Sequence, residues 1–250
     1  MPLRVDLGRY VFGIASLLLG VACLALRDQL ISAWQLPGDA VFLVTTSVAL
    51  IAGGVGIGFP ATAKPAALLL GCTYLLATLT MVPAVFQQPA VYASWGDIFY
   101  PLAPAVGAAV AYAVASPSPH TLAGNKLSVV LVGVCSASYA LEQIEFLDRT
   151  ASLVPKWIPP GGIFWTWATT IAFGLAALAL VSGYKALLAS RLLTVMFVIL
   201  TFVVWVPILL ADPRTHSNWS EGLETFAITG AVWIVADFLA ARRAPEFGQR

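Results

Sequence analysis

Charge is what this chain has least of. Only 10% of its 250 residues are charged, against 60% that are hydrophobic, and mean hydropathy is +0.89. Soluble domains run at about 25% charged, so these few charges cannot coat a globular surface. A formal net charge of +1 excludes a broad basic face, and with it nucleic-acid binding through phosphates. Histidine is scarcer still. His120 and His216 fall between apolar blocks, which argues against bis-histidine haem ligation and a His-rich metal site. Cys23, Cys72 and Cys135 stand singly in apolar runs. Without a C-x-x-C pair a thiol–disulfide relay has no second thiol. There is no Walker-type loop, no lysine within an apolar block to carry a Schiff base, and no Ser/His/Asp set.

What is there is apolar length. Eight blocks read as spans, near 7–26, 40–58, 65–85, 98–115, 127–147, 162–182, 190–210 and 223–241. Each is close to the ~20 residues that cross a bilayer. The first is too long for a signal-peptide core and no small-residue cleavage site follows it. No soluble domain is expected before, between or after the spans. With a cytoplasmic N-terminus, nine Lys and Arg fall inside (Arg4, Arg9, Lys64, Lys126, Lys185, Arg191, Arg242, Arg243, Arg250) and four outside (Arg27, Arg149, Lys156, Arg214). That is the positive-inside asymmetry, and it places both termini on the cytoplasmic side of a bacterial inner membrane. The acids run the other way, so the outer face is acidic.

The stretch Val82–Asp97, "VPAVFQQPAVYASWGD", is rewritten 124 residues on as Val206–Glu221, "VPILLADPRTHSNWSE". Val82, Pro83, Pro89 and Trp95 recur as Val206, Pro207, Pro213 and Trp219. Trp34–Gly38 likewise matches Trp157–Gly161. The chain therefore reads as an all-α polytopic membrane protein of eight transmembrane helices in two parallel four-helix repeats: residues 1–115, a cytoplasmic linker over 116–126, and residues 127–250. An even number of spans per unit gives both units one orientation, related by a pseudo-twofold axis along the membrane normal. Physically the phrase is a helix stop (Pro83, Pro207), a rigid loop (Pro89, Pro213), an indole at the interface (Trp95, Trp219) and a carboxylate at a helix start (Asp97, Glu221). Asn218-Trp219-Ser220 fits a glycosylation sequon, but nothing suggests a eukaryotic source.

Leu153–Gly161, "LVPKWIPPG", followed by "IFWTWATTIAFGLAALAL", resembles the DoxX-like membrane proteins, as does "VVWVPILLADP…NWSEGLETFAITGAVWIVADFL". The resemblance covers Leu127–Ala241 well and Leu7–Ala115 as a degenerate copy. It implies small four-span units; some relatives are subunits associated with thiosulfate:quinone oxidoreduction, others partners in oxidative-stress or assembly complexes. Many relatives carry Gly-x-x-His-Phe near the outer end of the first span. Here that stretch is Leu141-Glu142-Gln143-Ile144-Glu145-Phe146, without the histidine.

The candidate site is Tyr139–Arg149, "YALEQIEFLDR". Glu142 lies about five residues, or ~8 Å, below the outer end of its span. Intramembrane carboxylates are costly and point to function. Tyr139 and Glu142 share a helical face, and Glu145 can pair with Arg149 four residues on. Such a carboxylate can carry a proton, bind a cation, accept a quinol proton, or simply mark an interfacial helix end. Tyr139, Glu142, Gln143, Glu145, Trp157, Trp219 and Glu221 are the candidate ligand-binding residues; no catalytic or metal-binding residue is assigned. The first expectation is a non-catalytic membrane subunit or accessory protein that packs against lipids, a partner membrane protein or its own copies. It would hold at most a small apolar ligand, a quinone or a bound lipid. A quinone-linked redox subunit and a small-solute or lipid transporter are the alternatives. Gly54 and Gly58 predict close helix packing.

Overall fold

The computed structural model describes residues 6–26, 39–116 and 119–247, with side chains over 7–26, 40–116 and 126–242. Trp34–Gly38, half of the second repeat match, lies outside the described residues. Every regular element among the described residues is helical. They are α1 (Asp6–Ala25), α2 (Asp39–Gly56), α3 (Ala63–Gln87), α4 (Tyr92–Ala115), α5 (Pro119–Glu145), the short α6 (Leu147–Leu153), α7 (Gly162–Ser182), α8 (Ala186–Ile199), α9 (Val206–Ala211) and α10 (His216–Phe247). A π-helical segment, Leu200–Trp205, joins α8 to α9 without a break. Seven of these helical stretches are long and apolar enough to cross a membrane, the α8–α9 run counting as one. The apolar part of α2, Ala40–Gly56, is shorter. In lipid only a helix satisfies its own backbone polar groups within one segment, so apolar runs of this length fold as helices.

Several boundaries differ from those read in the sequence. Helix α5 starts at Pro119, inside the stretch 116–126 expected to be a linker, because polar turns continue a helix without registering in hydropathy. Pro119 opens it, where a missing N–H is not needed. Pro83 does not stop α3, which runs on to Gln87. Asp97 is not a cap either: α4 begins five residues earlier, after Val91. His216 is not in a loop but opens α10.

The helices close into a bundle. α1 packs on α2 and α10, α2 on α3, α3 on α4, α4 on both α5 and α10, α5 on α7, α7 on α8, and α8 on α10. Helix α10 is the most enclosed: 67% of its apolar window is buried, against 22% for Ala186–Ala211. Lipid tails are as apolar as these side chains, so the bundle gains from close packing, which small residues allow. A Cβ on Gly107 of α4 would lie 2.4 Å from the Ala231 Cβ of α10, and one on Gly230 would lie 2.4 Å from the Phe12 backbone of α1. Gly13 and Gly54 meet the same way between α1 and α2. Gly58 falls beyond the end of α2, so of the Gly54–Gly58 pair only Gly54 makes the expected helix crossing. Around the outside, Leu175, Leu178, Leu192, Val195 and Phe202 are exposed, which suits lipid and not water.

Candidate functional site: a tyrosine–carboxylate cluster at one end of the bundle

One end of the bundle carries the α3–α4 turn, α6 with its loop, and the α9–α10 turn. Each of these connections is closed in the same way. The indole N–H of Trp95 donates to the Pro89 carbonyl at 3.0 Å, that of Trp165 to Pro159 at 3.0 Å, and that of Trp219 to Pro213 at 2.9 Å. Proline fixes the turn and the indole six residues on ties it to the first turns of the next helix. Trp219 is thus primarily a turn staple whose ring packs against the core. In the last turn Thr215 donates to Asp212 Oδ2 and Asn218 Nδ2 to the Asp212 carbonyl. Asn218 is half-buried and bonded into that turn, which gives its sequon a structural role.

Inside this end, α4 and α5 are joined by tyrosines. The Tyr100 hydroxyl donates to Glu142 Oε1 at 2.6 Å. The Tyr139 hydroxyl donates to the Phe99 carbonyl at 2.9 Å, and the Tyr92 hydroxyl bonds to Ser138. Tyr139 is buried, its ring against Tyr100, Phe173 and Phe197. It therefore shares a region with Glu142 but leaves the carboxylate to Tyr100. Gln143 faces the other side of α5, where its Oε1 accepts from Thr169 at 3.0 Å and Thr170 at 2.8 Å of α7.

Glu145 and Arg149 do not form the expected pair. Helix α5 ends at Glu145, Phe146 leaves helical geometry (φ −112°, ψ 43°), and α6 restarts the path, so the one-turn spacing of a continuous helix is lost. Glu145 is exposed. Arg149 instead reaches α10 and pairs with Glu221 Oε1 at 2.8 Å, with 66% and 37% of the two side chains exposed. Its charge also acts on Asp97 and Glu142. Glu224, half-buried one turn below Glu221, accepts from Ser220 Oγ at 3.1 Å. Trp157 stands 75% exposed on the loop after α6 and takes no part in this group.

The structure thus brings Tyr139, Glu142 and Glu221 into one neighbourhood. It sets Gln143 on the α5–α7 interface and leaves Glu145 and Trp157 on the surface. Tyr100 and Glu224 are not among the residues read from the sequence: neither repeats its residue type at the 124-residue offset, and both lie beyond the repeated phrase. Chemically, a phenol donating to a carboxylate can hold or pass a proton, with Tyr139, Phe173 and Phe197 as an aromatic backing. Among the described residues no group of three His, Cys, Asp or Glu side chains could hold a metal ion. No family model, curated protein or solved structure matches this chain.

Proposed function

We propose that the chain is a non-catalytic integral membrane subunit or accessory protein that packs against a partner membrane protein. The observation that carries this is how its membrane-level polar groups are used. Glu142 bonds Tyr100, Gln143 bonds Thr169 and Thr170, and Tyr139 bonds the Phe99 carbonyl, so each ties one helix to the next. That is the use of polar side chains as interhelical glue. In this reading eight helices span. The 17 apolar residues of α2, Ala40–Gly56, make about 26 Å at 1.5 Å per residue, close to the bilayer core of about 30 Å.

The spans form two parallel repeats. Gly107 and Ala231, 124 positions apart, touch each other between α4 and α10, as equivalent positions do on a twofold axis. The first helix of each repeat also packs on the fourth helix of the other, α1 on α10 and α5 on α4. The DoxX-like motifs, a bacterial inner membrane and cytoplasmic termini belong to the same proposal; the Lys and Arg asymmetry supports the last of them. Purification in mild detergent tests it: a stoichiometric second membrane chain is expected, and a chain that comes out alone sinks the reading.

A second reading, a quinone-linked subunit, has the Tyr100–Glu142 pair in its favour, since that carboxylate can accept a quinol proton. It predicts extractable quinone from purified protein and loss of quinol-dependent activity in Glu142→Gln. With neither result the reading fails.

A further inference from the structure

Helix α3 and the α8–α9 run carry matching faces, but not at one offset. In their first parts the offset is 123. Ala67, Tyr74 and Thr78 are buried in α3, and Ser190, Phe197 and Thr201 are buried 123 residues on. Thr78 donates to the Tyr74 carbonyl at 2.8 Å, and Thr201 to the Phe197 carbonyl at 2.9 Å. The exposed Leu76 and Leu79 match the exposed Ile199 and Phe202. Further along the offset is 124. There the exposed Pro83 and Phe86 match the exposed Pro207 and Leu210. The α8–α9 run therefore has one residue more than α3 between Thr201 and Pro207. The π-helical segment Leu200–Trp205 lies at that place, and the Val206 N–H bonds the Thr201 carbonyl five residues back. An extra residue in an α-helix would turn everything beyond it by about 100°; a single π turn takes it up, so both faces keep their register. Proline alone does not make the π turn, because Pro83 sits inside α3 without one.

The extra residue can be placed. Counted on from Thr201, Trp205 matches Val82; counted back from Pro207, Val206 matches Val82. Trp205 is buried, and its Cβ and Cγ lie 3.4 and 3.5 Å from where a Cβ on Gly222 of α10 would stand. The residue 124 positions before Gly222 is Ile98 of α4. Where α4 carries a branched side chain, α10 carries none and an indole lies over it.

We propose that Trp205 is a residue inserted into the second repeat, and that its indole fills over Gly222 the space that the Ile98 side chain fills in the first. The proposal rests on the two-repeat reading. By this contact the least enclosed of the seven long spans gains a hold on α10 next to Glu221.

Thermal unfolding of the full chain in one detergent tests it. Deleting Trp205 should lower the melting point no more than Trp205→Ala does, because the deletion also removes the π turn. In α3 the reverse is expected. Deleting the exposed Leu76 should melt far below Leu76→Ala, since it turns the rest of that helix by about 100°. Gly222→Ile should lower the melting point of the intact chain by about 2–12 °C, the reach of overpacking. In the Trp205 deletion the same change should raise it, because the isoleucine restores the side chain that α4 has at Ile98. A Trp205 deletion that melts well below Trp205→Ala overturns the insertion, as does a Leu76 deletion no worse than Leu76→Ala. Gly222→Ile lowering both chains overturns the match of Gly222 with Ile98, and with it the repeat on which the proposal rests. Neither result touches the accessory-subunit reading, since no partner enters the measurement.

Discussion

At the scale of the residue, the telling comparison is between Tyr100 and Tyr92. Both lie on α4 and both bond α5, but Tyr100 serves a carboxylate and Tyr92 serves Ser138. Neutral hydrogen bonds between membrane helices average about 0.6 kcal/mol. Those to charged groups reach ~1.5–3 kcal/mol, and removing the donor leaves the acceptor desolvated. Tyr100→Phe is therefore expected to cost about 1.5–3 kcal/mol and Tyr92→Phe about 0.5–1 kcal/mol. Equilibrium unfolding in mixed micelles measures both, and equal losses would mean that Glu142 is not a charged acceptor. Glu142 was legible in the sequence because a carboxylate in an apolar block is rare. Its partner was not, because Tyr100 is 42 residues away and one tyrosine in a span carries no local signal.

At the scale of the element, helices were legible from apolar length and their ends were not. The first turns of α5 and α10 are polar, so hydropathy placed their starts late. The break at Phe146 went unseen because "LEQIEFLDR" contains neither Gly nor Pro, and the Glu145–Arg149 pairing fell with it. The staples were half seen. Pro89–Trp95 and Pro213–Trp219 stood out because they repeat at a long offset, while Pro159–Trp165 shares their six-residue spacing and had no recognised copy. Glycines differ just as sharply by position. Gly230→Ala puts a Cβ against the Phe12 backbone, where neither side can yield, and is expected to cost about 3 kcal/mol, the upper end of the usual range for overpacking. Gly174 has nothing within 4 Å of its Cβ position, so Gly174→Ala should gain about 0.5–1 kcal/mol of helix stability. Thermal unfolding of the two variants in one detergent decides it; a comparable loss in both would contradict the close α1–α10 crossing.

At the scale of the whole molecule, membrane class and the helix order followed from composition and the length of the apolar blocks. The closing of the bundle did not, since a one-dimensional pattern says nothing of which helix meets which. Sidedness is the part most directly measured. In a cysteine-free background, cysteine at Trp157 should label only from the outer face and cysteine at Tyr184, which is exposed beside Lys185, only from the inner face. Labelling of both from one side would reject the arrangement of spans. The α1–α10 crossing also has a consequence in time. About 190 residues separate the end of α1 from the start of α10, which at 5–20 residues per second is roughly 10–40 s of synthesis. Throughout that interval the face of α1 that carries Gly8 and Phe12, which α10 covers in the finished bundle, is made but uncovered. A chain interrupted before α10 therefore leaves that face of α1 without the helix that covers it.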